Sequence, residues 1–598
     1  MGVKRSTMLK SGAVFAVVAI AATACSSGGG SSSGSGSSSG SAMSSSGTGA
    51  ARNTINTASV NTGGKVTWTI EKKIDSWNPL SGAGNTFDFV QVLNPIYPTA
   101  YITNPDYSVI LNKDLLDGEP VYTATTATTP QTIVYKIQQN AKWSDGTPLN
   151  AADFVYTWEG QNGANPNIDA ASNTGYQDMQ SVTGSPDGKT VTVTWKAGKV
   201  FPAPDWKGLF NILLPAHIAK QHGDVAASWA WFNANPPTVS GGQLEIGPGG
   251  VSADNSTVTL VRNPQYYGPP AKLDTVVFRS ITDSAQEPTA LANGEVDGIY
   301  PQPQLDLVNR IKSIAGVSSH LDSGLQFEHI DMNLKNTALG NATWGNALRT
   351  AMFTAFDRQG LIDRTIKQFD GNAEPLNNRM LVPGQTGYQD NVTQFGLGSG
   401  DVAKAKAVLT AAGFTGVGTK LVAPDGTPIP AFSFRFSAGN PIRQNTANLF
   451  SQQMKTLGIT VNATSTDSLG KTLTQADANH TYDLIVFAWV ATPFFATANM
   501  PIYTTAAAGS PQSNYGYYSN SQVDQWLTEA ASSSDPTTQV TALNNADQQI
   551  SKNAYTLPLY QKPTLIAFKN TLGNVRNNTT SVGPTYNIQV WGTIASAK

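Results

Sequence analysis

Cysteine is almost missing: the 598-residue chain has one, at position 25. A disulfide framework, a cysteine zinc cluster and an iron–sulfur site are thereby excluded. Charge is scarce too, at 13% of residues, about half the ~25% of an average soluble domain. Lys+Arg 38 against Asp+Glu 40 leaves a net charge of −2, which offers no field for phosphate and excludes nucleic acid as an expected partner. The solvated surface must be carried by Ser, Thr, Asn and Gln. Of the five histidines, His217, His222, His320, His329 and His480, none forms a His-Glu-x-x-His pattern, so no metal site or cofactor is expected. What is present is apolar content of 40% with 55 glycines, enough for packed cores and incompatible with a collagen-like or wholly disordered chain. The length is several times the ~100–200 residues of one domain, so two or more lobes are expected.

Residues 1–24 carry Lys4, Arg5 and Lys10, an apolar run from Gly12 to Ala21, and small residues leading to Cys25. That is the layout of a secretory signal. The apolar run falls well short of the ~20 residues that span a bilayer. Ala22-Thr23-Ala24-Cys25 resembles the bacterial lipobox, with Ala22 where Leu is usual. The resemblance implies acylation of Cys25 and anchoring to the outer face of the cytoplasmic membrane, two or more acyl chains being enough for stable attachment. From Ser26 to Ala50 all but Ala42, Met43, Thr48 and Ala50 are Ser or Gly, a composition that cannot offset the entropy of ordering. Residues 25–63 are therefore read as a tether, with a reach of roughly 30 Å, and the folded body is expected to start near Gly64.

Beyond it strand and helix patterns alternate. Thr190–Trp195 follows the turn Pro186-Asp187-Gly188 with period two, as a half-buried strand does. Asp401 is a good N-cap for a helix that places Val402, Ala405, Val408 and Leu409 on one face and stops at Gly413. Tyr482–Trp489 is a compact apolar run suited to a sheet interior. The fold class is α/β. Gly188-Lys189-Thr190 lacks the spacing of a phosphate loop, since Gly184 is one residue too close, and Gly396, Gly398 and Gly400 read as a loop rather than a dinucleotide fingerprint. No Gly-x-Ser-x-Gly elbow occurs in the folded body. Carboxylate pairs that meet only in space stay open, but no enzyme activity is expected.

The most informative segment is Trp143-Ser144-Asp145-Gly146-Thr147-Pro148, a tight turn feeding a helix that carries Asp153, Phe154 and Val155. In order along the chain follow Val261-Arg262-Asn263-Pro264 with Tyr266 and Tyr267, Asn293-Gly294-Glu295-Val296-Asp297, and Phe356-Asp357-Arg358. Asp401 to Phe414, Leu457-Gly458-Ile459, Tyr518-Ser519-Asn520 and Leu557-Pro558-Leu559-Tyr560 complete the set. Together they resemble the family 5 extracellular solute-binding proteins of ABC importers, the oligopeptide- and dipeptide-binding lipoproteins. The resemblance implies a two-lobed periplasmic-binding-protein-like fold with a hinge and a larger first lobe built from both chain ends. The expected parts are a first-lobe segment at 64–326, a second lobe at 327–559 and a return to the first lobe at 560–598. It also implies a monomer that closes on a peptide or other small solute and delivers it to permease subunits with their ATPases.

In peptide-binding members a Trp followed three residues later by Asp sets a carboxylate against the peptide ammonium. Here the stretch is Trp489-Val490-Ala491-Thr492, so Thr492 stands where that Asp would be. Phe494 and Phe495 would extend Trp489 into an aromatic wall. Further candidate contacts are Asn514 and Tyr515, Asn440 and Arg443, and Tyr97 with Trp77. Thr492 leaves open a glycan, glycolipid or other non-peptide ligand on the same fold. A regulatory lipoprotein of the cell envelope is a third reading.

Overall fold

A computed structural model describes residues 57–595 apart from 127, 203–204, 475–481, 491 and 507–511. The signal segment, Cys25, the Ser/Gly tract and His480 lie outside the described residues. The start of the folded body needs correction. Ala58 exchanges two hydrogen bonds with the Asn574 side chain, and the Asn61 amide donates to the Thr593 carbonyl at 2.8 Å. The chain is thus fastened to its own C-terminal segment before Gly64, through backbone groups that sequence patterning does not reveal.

A ten-stranded mixed sheet runs through the molecule. Across it, the strands stand in the order Val461–Thr466, Phe432–Ser437, Leu484–Val490, Val317–Met332, Thr556–Lys569, Gly298–Ile299, Lys65–Ile70, Thr275–Ser280, Thr257–Arg262 and Leu244–Val251. Two of them, Val317–Met332 and Thr556–Lys569, are far longer than the rest and pair antiparallel along their length. Their outer halves join Val317–Ser323 to Pro563–Lys569; their inner halves join Phe327–Asp331 to Thr556–Gln561, with a register shift between Ser323 and Phe327. At that shift Gly324 allows Thr579 so close that an added Cβ would stand 2.0 Å from its Oγ1, and Gln561 Nε2 donates to the Gly324 carbonyl at 2.6 Å.

The apolar cores divide at the same place. One side packs Val66 to Phe278 with Ile566 to Trp591, joined by a cluster from Ile281 to Val317 with Leu565 and Ala567. The other packs Ile330 to Val486 with Leu557 to Tyr560, flanked by a helical cluster that includes Val523, Leu543 and Ile550. Two lobes result, the first made from both ends of the chain, linked through paired strands.

Local chemistry explains the elements that sequence predicted. Thr190–Trp195 buries Val191, Val193 and Trp195 and leaves the threonines half-buried, and it pairs with Thr132–Lys136 and Met179–Gly184 in a separate four-stranded sheet. The helix Val402–Ala411 is capped by Asp401, which accepts from the Lys404 amide at 2.8 Å. Gly396, Gly398 and Gly400 all have φ near +73°, left-handed backbone that suits glycine in a loop.

The Trp-Ser-Asp-Gly-Thr-Pro segment is a structural clasp in the first lobe. Gly146 has φ +88°, Trp143 and Thr147 close the turn backbone to backbone, and Ser144 bonds Ser240 through both backbone and hydroxyl. Asp145 accepts from the Thr147 amide and holds His217 Nε2 at 3.0 Å. The helix Ala151–Gln161 starts with a capping box between Asn150 and Asp153. Asp153 accepts from the amides of Asn150 and Ala216 at 2.9 Å and faces Trp143 Nε1 at 3.4 Å. Burial pushes Asp153 up to about 6 against these donors. Lys189, from the triplet that failed as a phosphate loop, donates to the carbonyls of Gln138, Ala141 and Leu149, so its ammonium staples the clasp.

Asp153→Ala leaves three N–H groups, two of them buried, without their acceptor and removes the N3 half of the capping box. It is expected to lower stability by about 2–4 kcal/mol, read as a fall in the thermal midpoint, with ligand affinity unchanged; an unaltered midpoint would refute the clasp.

Candidate functional site

Where the lobes face each other lies a cavity of about 360 Å³, adjoined by a smaller one of about 140 Å³. The larger lies within the ~300–1,000 Å³ range of small-molecule sites. Asn85, Val90, Trp489, Val490 and Ser581 border both, so the two are parts of one cleft divided at Trp489. The strand Leu484–Val490 carries that tryptophan out of the sheet interior, where Ile485, Val486 and Phe487 are buried, to the cleft.

The aromatic wall is built as a column. Trp489 stacks on His329 at 5.7 Å and 12° and on Tyr515 at 6.0 Å and 14°, with Phe487 edge-on at 4.9 Å. The Trp489 Nε1 and Tyr97 hydroxyl groups are buried and have no hydrogen-bond partner among the described residues, and Tyr97 borders the larger cavity. Burial holds the Tyr97 phenol well above its ordinary pKa, so it presents a neutral O–H. Thr492, Phe494 and Phe495 border the same cavity; the Thr492 hydroxyl accepts from the Phe494 amide at 3.3 Å and shapes the loop. Tyr515 borders the smaller cavity and donates its hydroxyl to the Gly82 carbonyl of the first lobe at 3.4 Å.

The remaining predicted residues lie apart from the larger cavity. Trp77 is 2% exposed in the first-lobe core. Asn514 spends its side chain on the carbonyls of Thr504 and Tyr518 and the Tyr518 amide. Asn440 caps the helix Pro441–Met454 by accepting from the Arg443 amide. Arg443 borders the smaller cavity but faces Glu328 of the crossing strand, Nη2 to Oε1 at 2.8 Å and Nε to both carboxylate oxygens at 3.2 Å.

That pair belongs to a charged cluster at the crossing. Lys562 Nζ stands 3.8 Å from Glu328 Oε1, Lys72 Nζ is 3.3 Å from Asp88, and Gln302 donates to Glu71 at 3.1 Å. Burial raises Glu328, but the charges of Arg443 and Lys562 outweigh it and hold the carboxyl below its usual range. Burial pulls Lys562 down to about 8 against the attraction of Glu328. Behind the cluster Glu287 accepts from Thr69 Oγ1 at 2.6 Å; burial, aided by the nearby charges of Glu71 and Asp88, pushes it up to about 8.

The lobes touch around the rim. Asp205 of the first lobe accepts from both the amide and the hydroxyl of Thr497, at 3.1 and 2.8 Å, and the Phe494 ring packs on Gly208, where an added Cβ would meet it at 2.8 Å. Asn173 donates its amide to Gln512, Ser513 donates to the Ala171 carbonyl, and Lys471 lies 3.7 Å from Asp75. Sequence reasoning missed Asp205, Thr497, Glu328 and Lys562. Each lies more than a hundred residues from its partner, and no local pattern marks any of them.

With this geometry in place, the comparisons with known proteins are specific. The family model described as "Bacterial extracellular solute-binding proteins, family 5 Middle" matches residues 121–511. The oligopeptide-binding protein OppA of Mycobacterium tuberculosis is 27% identical over 575 residues, covering 93% of this chain and 90% of its own. Among solved structures, the periplasmic EDTA-binding protein EppA superimposes with a TM-score of 0.78 at 31% identity, covering 91% of this chain and 99% of its own. The oligopeptide-binding protein AppA of Bacillus subtilis, in complex with a nonapeptide, gives 0.77 at 21% identity, covering 90% and 100%.

Glu287 generates a pH prediction. The folded protein keeps a proton up to about pH 8 that the unfolded chain loses near 4.5, so the folded state binds more protons between those values and stability falls as pH rises through them. The slope is at most about 1.4 kcal/mol per pH unit. Glu287→Gln is expected to flatten the decline in thermal midpoint between pH 6 and 9 relative to wild type; parallel curves would contradict the assignment.

Proposed function

We propose, because this chain belongs to the family 5 bacterial extracellular solute-binding proteins, that it captures a peptide or peptide-like solute between its two lobes and hands it to an ABC permease. The observation that carries this reading is the cleft itself: a cavity of about 360 Å³ bordered by residues of both lobes, with Trp489 on one side and Tyr97 on the other. Ligand touching both walls binds the closed arrangement better than the open one, and that difference in affinity is what closes the lobes. The lobes turn about the paired strands near Gly324 and Gln561, so 64–326 and 560–598 move against 327–559. Trp489, Phe494, Phe495, Tyr97 and Thr492 contact the solute; Tyr515 and Arg443 stiffen the neighbouring wall.

No covalent chemistry is assigned to the protein. It acts as a monomer held outside the cell by acylated Cys25, with the Ser/Gly tract as tether. No described helix is long and apolar enough to cross a membrane. A second reading, a non-peptide solute, draws on Thr492 standing where peptide binders carry Asp, and on the EDTA-binding relative.

Small-angle scattering of the full chain in detergent, with and without the small molecules recovered from its denatured form, is the test. A fall in radius of gyration on adding them back, together with a ~10- to 100-fold weaker affinity in Trp489→Ala, supports capture by closure; an unchanged radius and affinity would remove it. A mixture of short peptides in the released fraction favours the first reading and a single non-peptide compound the second. Cys25→Ser is expected to shift the protein from the membrane pellet to the medium, and retention in the pellet would exclude the lipid anchor.

A further inference from the structure

The larger cavity has an unusual electrostatic inventory. Among its described lining residues Asp205 is the one carboxylate, and the cations are Lys207 and Arg379. Both cations are engaged elsewhere. Arg379 Nη1 pairs with the buried Asp547 at 2.7 Å, while Lys207 faces Glu119 at 3.5 Å and lies over the Tyr101 ring. Asp205 has no ion-pair partner among the described residues. It is 4% exposed, and its hydrogen bonds all run through one oxygen, Oδ2, which takes the amide and the hydroxyl of Thr497. Among the described residues the other oxygen, Oδ1, accepts no hydrogen bond.

We propose that Asp205 receives a cationic group of the solute, a primary ammonium or a guanidinium, from the lobe opposite Thr492. This rests on the reading of the cleft as the solute site and names what that site selects. A desolvated carboxylate with no counter-charge is costly, and two hydrogen bonds from Thr497 offset only part of that cost. A ligand cation at Oδ1 supplies the missing partner. Burial, opposed only by Thr497, pushes the carboxyl up to about 6, the behaviour of an acid whose counter-ion is not there. The exchange of sides has a mechanical consequence. Thr497 belongs to the second lobe, so Oδ2 is anchored only when the lobes meet, and that anchoring fixes where Oδ1 points. The cation is thereby recognised best in the closed arrangement, which couples charge selection to closure.

The alternative is that Asp205 only latches the lobes. Two variants separate these roles. Asp205→Asn keeps an oxygen acceptor for Thr497 and removes the charge. Thr497→Val keeps the charge and removes the hydroxyl donor. The full chain, stripped of bound small molecules, is equilibrated with three synthetic libraries of peptides of about four to six residues built from Ala, Ser, Tyr and Val. One has free N-termini, one is N-acetylated, and one is N-acetylated with a single Arg added. Retained peptides are counted by mass spectrometry.

Wild type is expected to favour a cation-bearing library over the acetylated neutral one by on the order of 30-fold, as the loss of one partner from a buried charge pair implies. Asp205→Asn should bring that ratio near one with an unchanged thermal midpoint. Thr497→Val keeps the amide that still orients Oδ2, so it should weaken retention of every library while a cation-bearing library stays favoured. Equal retention of all three by wild type, or a ratio that survives Asp205→Asn, overturns the assignment while leaving peptide capture in place. No retention of any library overturns both.

Discussion

Everything that lets this molecule act on a solute depends on one pair of antiparallel strands, Val317–Met332 and Thr556–Lys569. Each contributes to the sheet of both lobes, and the apolar cores change over where their register slips. Backbone hydrogen bonds resist stretching and shear far more than twisting, so two strands crossing together hold the lobes at a fixed distance while leaving rotation possible. Gly324, hard against Thr579, and Gln561, bonded across to it, occupy the point where the ladder is already interrupted. Motion concentrated there breaks the fewest regular contacts.

The charged cluster beside that crossing follows from the same constraint. Strands shared by two lobes pass through ground that is neither core, and this chain fills it with Glu328, Arg443, Lys562 and Lys72 rather than with apolar side chains. Buried ion pairs of this kind seldom add net stability over a well-packed apolar substitute. They do demand specific geometry, since Arg443 satisfies Glu328 only when the helix Pro441–Met454 is correctly seated on the crossing strand. Asp205 is the contrasting case: a carboxylate at the cleft rim with donors from the facing lobe and no cation among the described residues. The difference between a fully matched charge and an unmatched one separates framework from recognition within one cleft.

The comparisons fit the same division. The nonapeptide-binding AppA and the EDTA-binding EppA superimpose almost equally well on this chain, so the two-lobed frame does not by itself fix what is bound. Side chains at the cleft do, and those are the residues for which the frame sets only a position.

Much of the frame could be read from the chain before any coordinates. The Trp143–Pro148 turn, the Asp401 cap and the Thr190–Trp195 alternation are local, because a turn, a cap or a half-buried strand is decided by neighbours a few residues away. Trp489 could be proposed as a cleft residue because the resemblance places it, and Phe494 because it follows Trp489 closely in the chain; Tyr97 is a further candidate, and all three border one cavity. Trp77, Asn440 and Asn514 could not be sorted in this way: a buried tryptophan, a helix cap and a loop clamp look the same in sequence as ligand contacts. Asp205 and Thr497 lie 292 positions apart, and Arg443 and Glu328 115 apart. No periodicity carries information over such separations. The sequence by itself determined these local elements and the family, since each rests on short-range chemistry or an ordered run of motifs. Tertiary structure alone decided which charges are matched and which carboxylate faces the cavity, because those outcomes depend on two lobes meeting in space.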